Sequence, residues 1–341
     1  MSKLFRLKGL DPVFFVSHLL FLGISYCIYL SPHIAPSTFP YFGFIPIFYP
    51  LIVLANLILL LILLSRRLMY ALLFTILSIG LLPPLSNTYQ YFGEKVTVEP
   101  DFKVLSFNAQ YMRGEGFANF FNQEKADLIL LQEVYWRDDL FKELKTAALT
   151  DYYHEKHGLV QIFSKFPIIE FQQILSESKN AVATAAYADI DLGQDTLRVI
   201  NVYLETMLID KSLVKEGINS VDQAKSNSQI LKNKLTKGFL MHENQIQKII
   251  PFIVNSPHPV LLAGDLNAVP NSYEYQQFLY RLKDAYHQVG RSSGTSFHDF
   301  KYPLRLDYIF HSEEILPTKY QVLHDIKLSD HYPVVAYFKM P

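Results

Sequence analysis

"PVLLAGDLNAVPN", residues 259–271, starts as an apolar run and breaks off into polar residues. Val260, Leu261, Leu262 and Ala263 read as a short strand buried on both faces. The run stops at Gly264 and is followed by a carboxylate at Asp265 and a carboxamide at Asn267. Two residues apart in an extended chain, these side chains point to the same side. Taken alone, the stretch also fits a turn, because Asp and Asn close strands by bonding to their own backbone.

Working outward, the same pattern recurs. "KVLSFNAQY" is a strand ending in Asn108, and "DLILLQEV" is a buried run ending at Glu133. "GLVQIFSKFPI", "AVATAAYADIDL" and "DTLRVINVYLET" are strands rich in Val, Ile, Tyr and Thr, the last carrying Tyr203 near its end. "LRLDYIF" contains Asp307, and the turn "LSDH" between the last two strands contains Asp330 and His331. Helical spacing appears in "EGFANFFNQEKA" and from about Val221 to Val254, with an interruption expected near Gly238 and an end at Pro251 or the following "NSPHP" turn. Asn271 and Glu274 stand three apart, as an N-cap and its box partner would. A fold that gathers these strand ends on one edge brings oxygen and nitrogen ligands from distant parts of the chain into one cleft.

At 341 residues the chain has room for one large domain or two medium ones. Charge divides it sharply. Five of the 31 Lys and Arg and two of the 32 Asp and Glu lie in residues 1–94, which leaves 26 and 30 in residues 95–341, a formal charge of −4. A protein that grips long nucleic acid nonspecifically shows a basic excess, so nucleic-acid activity here requires a local patch or short substrates. The lone Cys27 lies in an apolar segment, which excludes a disulfide framework and thiolate chemistry from the rest.

Residues 13–30, 44–64 and 68–82 are nearly uncharged apolar runs, and about 20 helical residues span a hydrocarbon layer of about 30 Å. The first run also fits a signal peptide and the third a buried core helix that Pro83 and Pro84 would end. Lys3, Arg6 and Lys8 precede the first run, Arg66 and Arg67 separate the second from the third, and residues 31–43 carry no Asp, Glu, Lys or Arg. Positive charge stays on the cytoplasmic side. About three transmembrane helices would therefore anchor residues 1–94 in the lipid bilayer and leave residues 95–341 outside the cytoplasm; two spans would invert the prediction.

Glu133, Asp330 and the carboxamide of Asn108 are hard oxygen donors of the kind Mg²⁺ or Mn²⁺ prefers. The chain lacks the Cys cluster and the helical His pair that zinc would favour. Beside such a metal, Asp265 could take a proton from, or orient, an attacking water, and Asn267 could donate to oxygens where negative charge accumulates. His331, hydrogen-bonded to Asp307, would be held in one orientation and favoured as imidazolium. A metal, a water activator and cationic donors around one point suit attack on phosphorus.

Six pieces in order, "SFNAQ", "LLQEV", "NVYLET", "GDLNAVP", "LRLDYIF" and "LSDHYPV", resemble the endonuclease/exonuclease/phosphatase (DNase I-like) superfamily over residues 102–338. The resemblance implies an α/β (α+β) four-layer sandwich, two mixed β-sheets face to face with helices outside. It implies Asn108 and Glu133 on the metal side of a site that Asp330 completes or neighbours, Asp265 as water activator, Asn267 as transition-state donor and His331 as a phosphate-binding partner oriented by Asp307. Tyr203 replaces the His of the nuclease-like and sphingomyelinase-like branches and matches the Tyr of the abasic-site endonuclease branch. A neutral phenol donates one hydrogen bond but forms no cation near neutral pH. The implied substrate is a phosphate ester, nucleic acid or lipid headgroup, and the implied activity a phosphodiesterase or phosphatase; an inactive binding protein on the same fold is the alternative outside the enzymes. His154, His157, His287, His298, His311 and His324 share no spacing and read as surface or satisfied histidines. "SGTSF" and Lys165 read as turn chemistry, and Met207, Leu208 and Ile209 as a lip or a covered loop.

Overall fold

The computed structural model describes residues 9–112, 116–134, 144–178, 181–207, 221–299, 302 and 304–341. Leu208 and Ile209, named above as part of a lip, lie outside the described residues.

The chain opens with helices α1 (Asp11–Tyr26), α2 (Phe44–Arg66), α3 (Leu68–Ser78) and the short α4 (Leu82–Ser86). Together with flanking 3-10 turns they make three helical segments long and apolar enough to cross a membrane, Asp11–His33, Pro40–Arg66 and Leu68–Ser86. Leu20, Leu61 and Ile76 are 62, 56 and 66% exposed on their outer faces, so the third run is not a core helix. Nor does it end at Pro83 and Pro84. A 3-10 turn over Ile79–Leu81 passes into α4 with the prolines in its first turn, where the missing N–H would have had no helical partner. At one end of this bundle the Asp11 carboxylate takes Arg66 Nε and Arg67 Nε, each at 2.7 Å. Inside it, Asn56 donates to Ser25 Oγ at 2.6 Å and Tyr49 to the Leu81 carbonyl at 2.8 Å. At the opposite end, Tyr91 and Phe92 stand 71 and 91% exposed just past the third segment.

Strands follow: β1 (Tyr89–Gln90), β2 (Phe102–Asn108), β3 (Leu128–Gln132), β4 (Tyr153–His157), β5 (Val160–Ser164), β6 (Ile168–Leu175), β7 (Thr184–Asp191), β8 (Thr196–Tyr203), β9 (Val260–Asp265), β10 (Lys283–Asp284), β11 (Ser292–Ser293), β12 (Asp307–His311), β13 (Leu316–Val322) and β14 (Val334–Lys339). Two six-stranded sheets form, in the orders β10-β12-β9-β8-β7-β6 and β13-β14-β2-β3-β5-β4, and β1 pairs with β11 apart from them. Each sheet is mixed. Only β8 with β9 and β2 with β3 run parallel, and each of these connections spans a helix, as a parallel crossover requires: α6 (Val221–Val254) for the first and α5 (Phe117–Glu124) for the second.

Fully buried runs such as Val160–Ser164 and Val260–Asp265 follow from covering both faces of a sheet. Between the sheets lie Val104, Leu130, Val199, Ala263 and Ile309. The outer face of the first sheet packs Ile200, Leu262 and Phe310 against Ile246 and Ile249 of α6 and against Phe278 of α7 (Tyr273–Leu279). Phe117, Phe120 and Phe121 of α5 cover the other sheet. Helix, sheet, sheet and helix make four layers, as the family resemblance implies. A buried amide chain crosses the middle: Gln132 donates to Asn201 Oδ1 at 2.7 Å, and Asn201 donates to the carbonyls of Leu131 and Gln161.

Two local expectations are corrected. Helix α6 runs unbroken through Gly238 and Pro251 and ends at Val254, before the "NSPHP" turn, the other expected end. Gly238 is a seat for the Met207 sulfur, where a Cβ would collide, and Pro251 lies so near the C-terminus that little helix remains to be broken. The N-cap of α7 is Ser272, not Asn271: Ser272 Oγ accepts from Tyr275 N at 3.2 Å, and Glu274 pairs instead with His242 at 3.1 Å.

Gly264 shows why the opening stretch stops as it does. Its φ is +146°, and a Cβ there would strike the Val202 carbonyl of β8, the residue beside it in the parallel register. Only glycine lets the two backbones come this close immediately before Asp265. Gly264→Ala is predicted to cost about 3 kcal/mol from strain and overpacking, read as a fall of roughly 6–12 °C in the melting temperature of the detergent-solubilised protein; an unchanged melting temperature would contradict this account.

Candidate active site

Strand register assembles the centre. Tyr203, the last residue of β8, pairs with Asp265, the last of β9, and Asp265 pairs with Asp307, the first of β12. Residues in one row across a sheet share a face, so the phenol and the two carboxylates stand side by side. The facing sheet supplies Asn108 at the end of β2, paired with Gln132, so that Glu133 follows immediately. Glu133 and Asn267 are both left-handed, with φ of 54° and 47°, a conformation that side-chain-bearing residues adopt at a cost of order 1–3 kcal/mol and mainly at functional sites.

Asn108 is the bridge. Its Nδ2 donates to Asp265 Oδ2 at 2.9 Å and to Glu133 Oε1 at 3.1 Å, so Glu133 and Asp265 open onto the same point. Tyr203 donates its hydroxyl to Glu133 Oε1 at 2.8 Å. The other Glu133 oxygen accepts no hydrogen bond from the described residues. Asp265 Oδ1 accepts the Asn267 backbone N–H at 2.8 Å, and the Asn267 carboxamide donates to the Leu204 carbonyl at 3.0 Å, leaving its second amide N–H.

On the other side of Asp265, His331 Nε2 lies 3.7 Å from Oδ2, and His331 Nδ1 lies 2.7 Å from Asp307 Oδ2. Burial opposes charge on His331, but Asp307 and then Asp265 outweigh it and raise its pKa to about 10. Burial pushes the Asp265 carboxyl up to about 7, with His331 pulling down and Asp307 adding to the rise. Burial and then the Glu133 carboxylate hold Tyr203 well above the usual phenol value, so it remains a neutral donor. Asp330 enters beside His331, whose charge it also favours, and its carbonyl accepts the His298 N–H at 3.0 Å.

The supports of the centre were only partly legible. Ser296 and Phe297 lie in the "SGTSF" turn: Ser296 Oγ accepts the N–H groups of Leu306 and Asp307, each at 3.0 Å, and the Phe297 ring meets His331 edge-on at 4.9 Å. The inter-sheet pair Gln132 and Asn201 gave no pattern beyond two amides inside apolar runs. Lys165 bonds Asp127 and the Lys125 carbonyl, as turn chemistry predicts. His154, His157, His298, His311 and His324 find backbone, hydroxyl or amide partners.

Comparison with known proteins bears on the family and the fold. The model of the Endonuclease/Exonuclease/phosphatase family matches residues 105–331, and a domain of unknown function (DUF8431) matches residues 11–88. Curated proteins give no match. Among solved structures, a mannosyl-6-phosphatase from Bacteroides thetaiotaomicron VPI-5482 is 17% identical over 70% of this chain and 100% of its own, with a TM-score of 0.50. A family protein from Leptotrichia buccalis C-1013-b is 17% identical over 70% and 100%, with a TM-score of 0.51. A humanized D. rerio TDP2 is 14% identical over 70% and 99%, with a TM-score of 0.51. At such identities the likeness is one of fold. The family match covers well over half of the sequence and takes in Asn108, Glu133, Tyr203, Asp265, Asn267, Asp307, Asp330 and His331; the chain belongs to the endonuclease/exonuclease/phosphatase family.

Proposed function

We propose that this protein is a membrane-anchored, divalent-metal-dependent hydrolase of phosphoric esters, acting as a phosphodiesterase, with residues 1–94 as anchor and 95–341 as an extracytoplasmic catalytic domain. One arrangement carries the reading: the buried Asp265 carboxylate stands between Asn108 and Glu133 on one side and the Asp307–His331 pair on the other.

Asp265 accepts a proton from the attacking water. His331, kept as imidazolium by Asp307, donates from Nε2 toward a phosphoryl oxygen, and the second amide N–H of Asn267 donates to the charge that grows there. Tyr203 steadies Glu133. The donors fit a hard cation on the Glu133 side, where a carboxylate oxygen accepts no hydrogen bond from the described residues and the Asn108 carboxamide oxygen takes only the Gln110 N–H, at 3.1 Å. Asp330 completes or neighbours this set. Asp265, Asp307 and His331 also bring ligand atoms within 4.8 Å of one another, but an imidazolium has no lone pair to offer a cation. A bound Mg²⁺ or Mn²⁺ supplies Lewis acidity toward the phosphoryl oxygens. A lipid-headgroup ester is the second reading, favoured by the acidic balance of residues 95–341 and by the contacts between anchor and catalytic domain described below. The arginines at the end of the bundle far from the catalytic domain support the extracytoplasmic orientation.

EDTA is expected to abolish hydrolysis by the detergent-solubilised protein across a panel of single-stranded DNA, abasic duplex, phospholipid vesicles and bis(4-nitrophenyl) phosphate, and Mg²⁺ or Mn²⁺ to restore it. Asp265→Asn should lower kcat by about 10²–10⁴-fold with the melting temperature nearly kept, and His331→Ala should do the same at a cost in melting temperature, because it leaves the buried Asp307 without its partner; activity surviving both would refute the roles assigned. Activity should climb with pH as Asp265 ionises toward its value of about 7 and fall near 10 as His331 loses its proton, a bell in kcat/KM. Asp307→Asn should bring the alkaline limb down by about 1–3 units, and a limb that stays in place contradicts the pairing. Finally, Glu94→Cys in a Cys27→Ser background should react with an impermeant maleimide on intact cells; labelling only after lysis would place the catalytic domain inside.

A further inference from the structure

The membrane segment meets the catalytic domain through polar contacts that converge beside the catalytic loops. Asn87, just past α4, donates its Nδ2 to Asn271 Oδ1 at 2.7 Å, and its own carbonyl accepts Arg305 Nη1 at 2.9 Å. Asn271 closes the loop that carries Asp265 and Asn267, and Arg305 lies just ahead of Asp307. One residue of the anchor thus touches both the loop that follows Asp265 and the segment that leads into Asp307. Asn271 is held on two further sides: its Nδ2 donates to the Pro84 carbonyl at 2.9 Å, and its carbonyl accepts Ser31 Oγ at 3.0 Å. Because Pro84 offers only an acceptor, the Asn271 amide has one orientation, and its oxygen faces Asn87. Its φ of 65° is tolerated by Asn and Gly better than by other residues.

The contact surface extends beyond this point. Ser37 gives its backbone N–H and hydroxyl to the two Glu243 carboxylate oxygens at 2.7 and 2.8 Å, His33 meets the Tyr280 hydroxyl at 2.6 Å, and Tyr302 donates to the Ile47 carbonyl at 2.6 Å. Arg305 is itself fully buried against Asp284, at 2.7 Å, between the rings of Tyr286 and Tyr308, so the pull of Asn87 acts on a rigid lever.

We propose that Asn87 is a positioning residue, through which the membrane segment sets the Asp265–Asn267 loop and the entry to Asp307, and that full turnover requires the docked arrangement. The kinetic part rests on the hydrolase reading above; the docking part does not. The test uses the full chain in lipid nanodiscs with Mg²⁺ and bis(4-nitrophenyl) phosphate. Asn87→Ala removes the amide and keeps the carbonyl for Arg305; Asn271→Gly removes the partner amide and keeps the left-handed backbone. Each should lower kcat roughly 10- to 100-fold, the scale of a slightly misplaced reacting group, with KM and melting temperature nearly kept. The double variant should be no worse than either single one, as contacting partners require. Amide hydrogen exchange over residues 266–271 should quicken in both. A kcat within twofold of the parent protein in Asn87→Ala, or a loss of kcat matched by a loss of melting temperature, overturns the positioning role. A parent protein that hydrolyses no ester sinks the proposed function instead; exchange then decides the docking alone, kept if residues 266–271 quicken and overturned if they do not.

Discussion

A carboxylate taken out of water needs compensation from fixed neighbours, and Asp265 receives it from both sheets. Asn108 reaches it from the end of β2, His331 from the turn before β14, and the Asn267 backbone from its own loop. An isolated ionised carboxyl in such a place would simply take up a proton. The two sheets must therefore face one another in a single register, and the Gln132–Asn201 amides beneath the site tie that register together. Shifting β2 or β9 by one residue against its neighbouring strands would turn Asn108 or Asp265 away from the cleft, and the remaining groups would lose the charge they surround.

The same logic governs a second buried ion pair. Asp284 accepts Arg305, the Tyr275 hydroxyl and the Tyr286 N–H, with both charged side chains shut away from solvent. Burial alone would raise the Asp284 carboxyl; Arg305 outweighs that and holds it below its ordinary value. Breaking such a pair by removing one partner costs about 3–5 kcal/mol, which fastens the segment leading into Asp307 to the end of β10.

The sandwich and its centre were legible because strands that stop abruptly at a polar residue leave a visible mark. Asn108, Glu133 and Asp265 each stand at such a break and Asp307 opens its strand; the alternation of apolar runs with helical spacing marked the elements, and the layers were implied by the resemblance those motifs carry. What stayed hidden depends on partners far apart in sequence. Asn271 offered the spacing of a helix cap, yet the cap belongs to Ser272, because the Asn271 side chain is taken by Asn87 and Pro84 from nearly two hundred residues away. Gly238 looked like a helix break until Met207 filled the space above it. Prolines 83 and 84 looked like a stop until a 3-10 turn let a new helix begin around them. In the first two cases a tertiary contact overrode the local rule, and in the third a neighbouring turn did.

The buttressing at Asn87 also bears on how the protein meets its surroundings. A domain hung from a loose linker sweeps a hemisphere and samples esters at many heights. Here Glu94 is already pinned to the Gln288 carbonyl and Arg291 to that of Gly93, so the exit from the helices has no slack. Residues 95–341 are thereby tied to the hydrophobic bundle at several points rather than hung from it by one strand of chain.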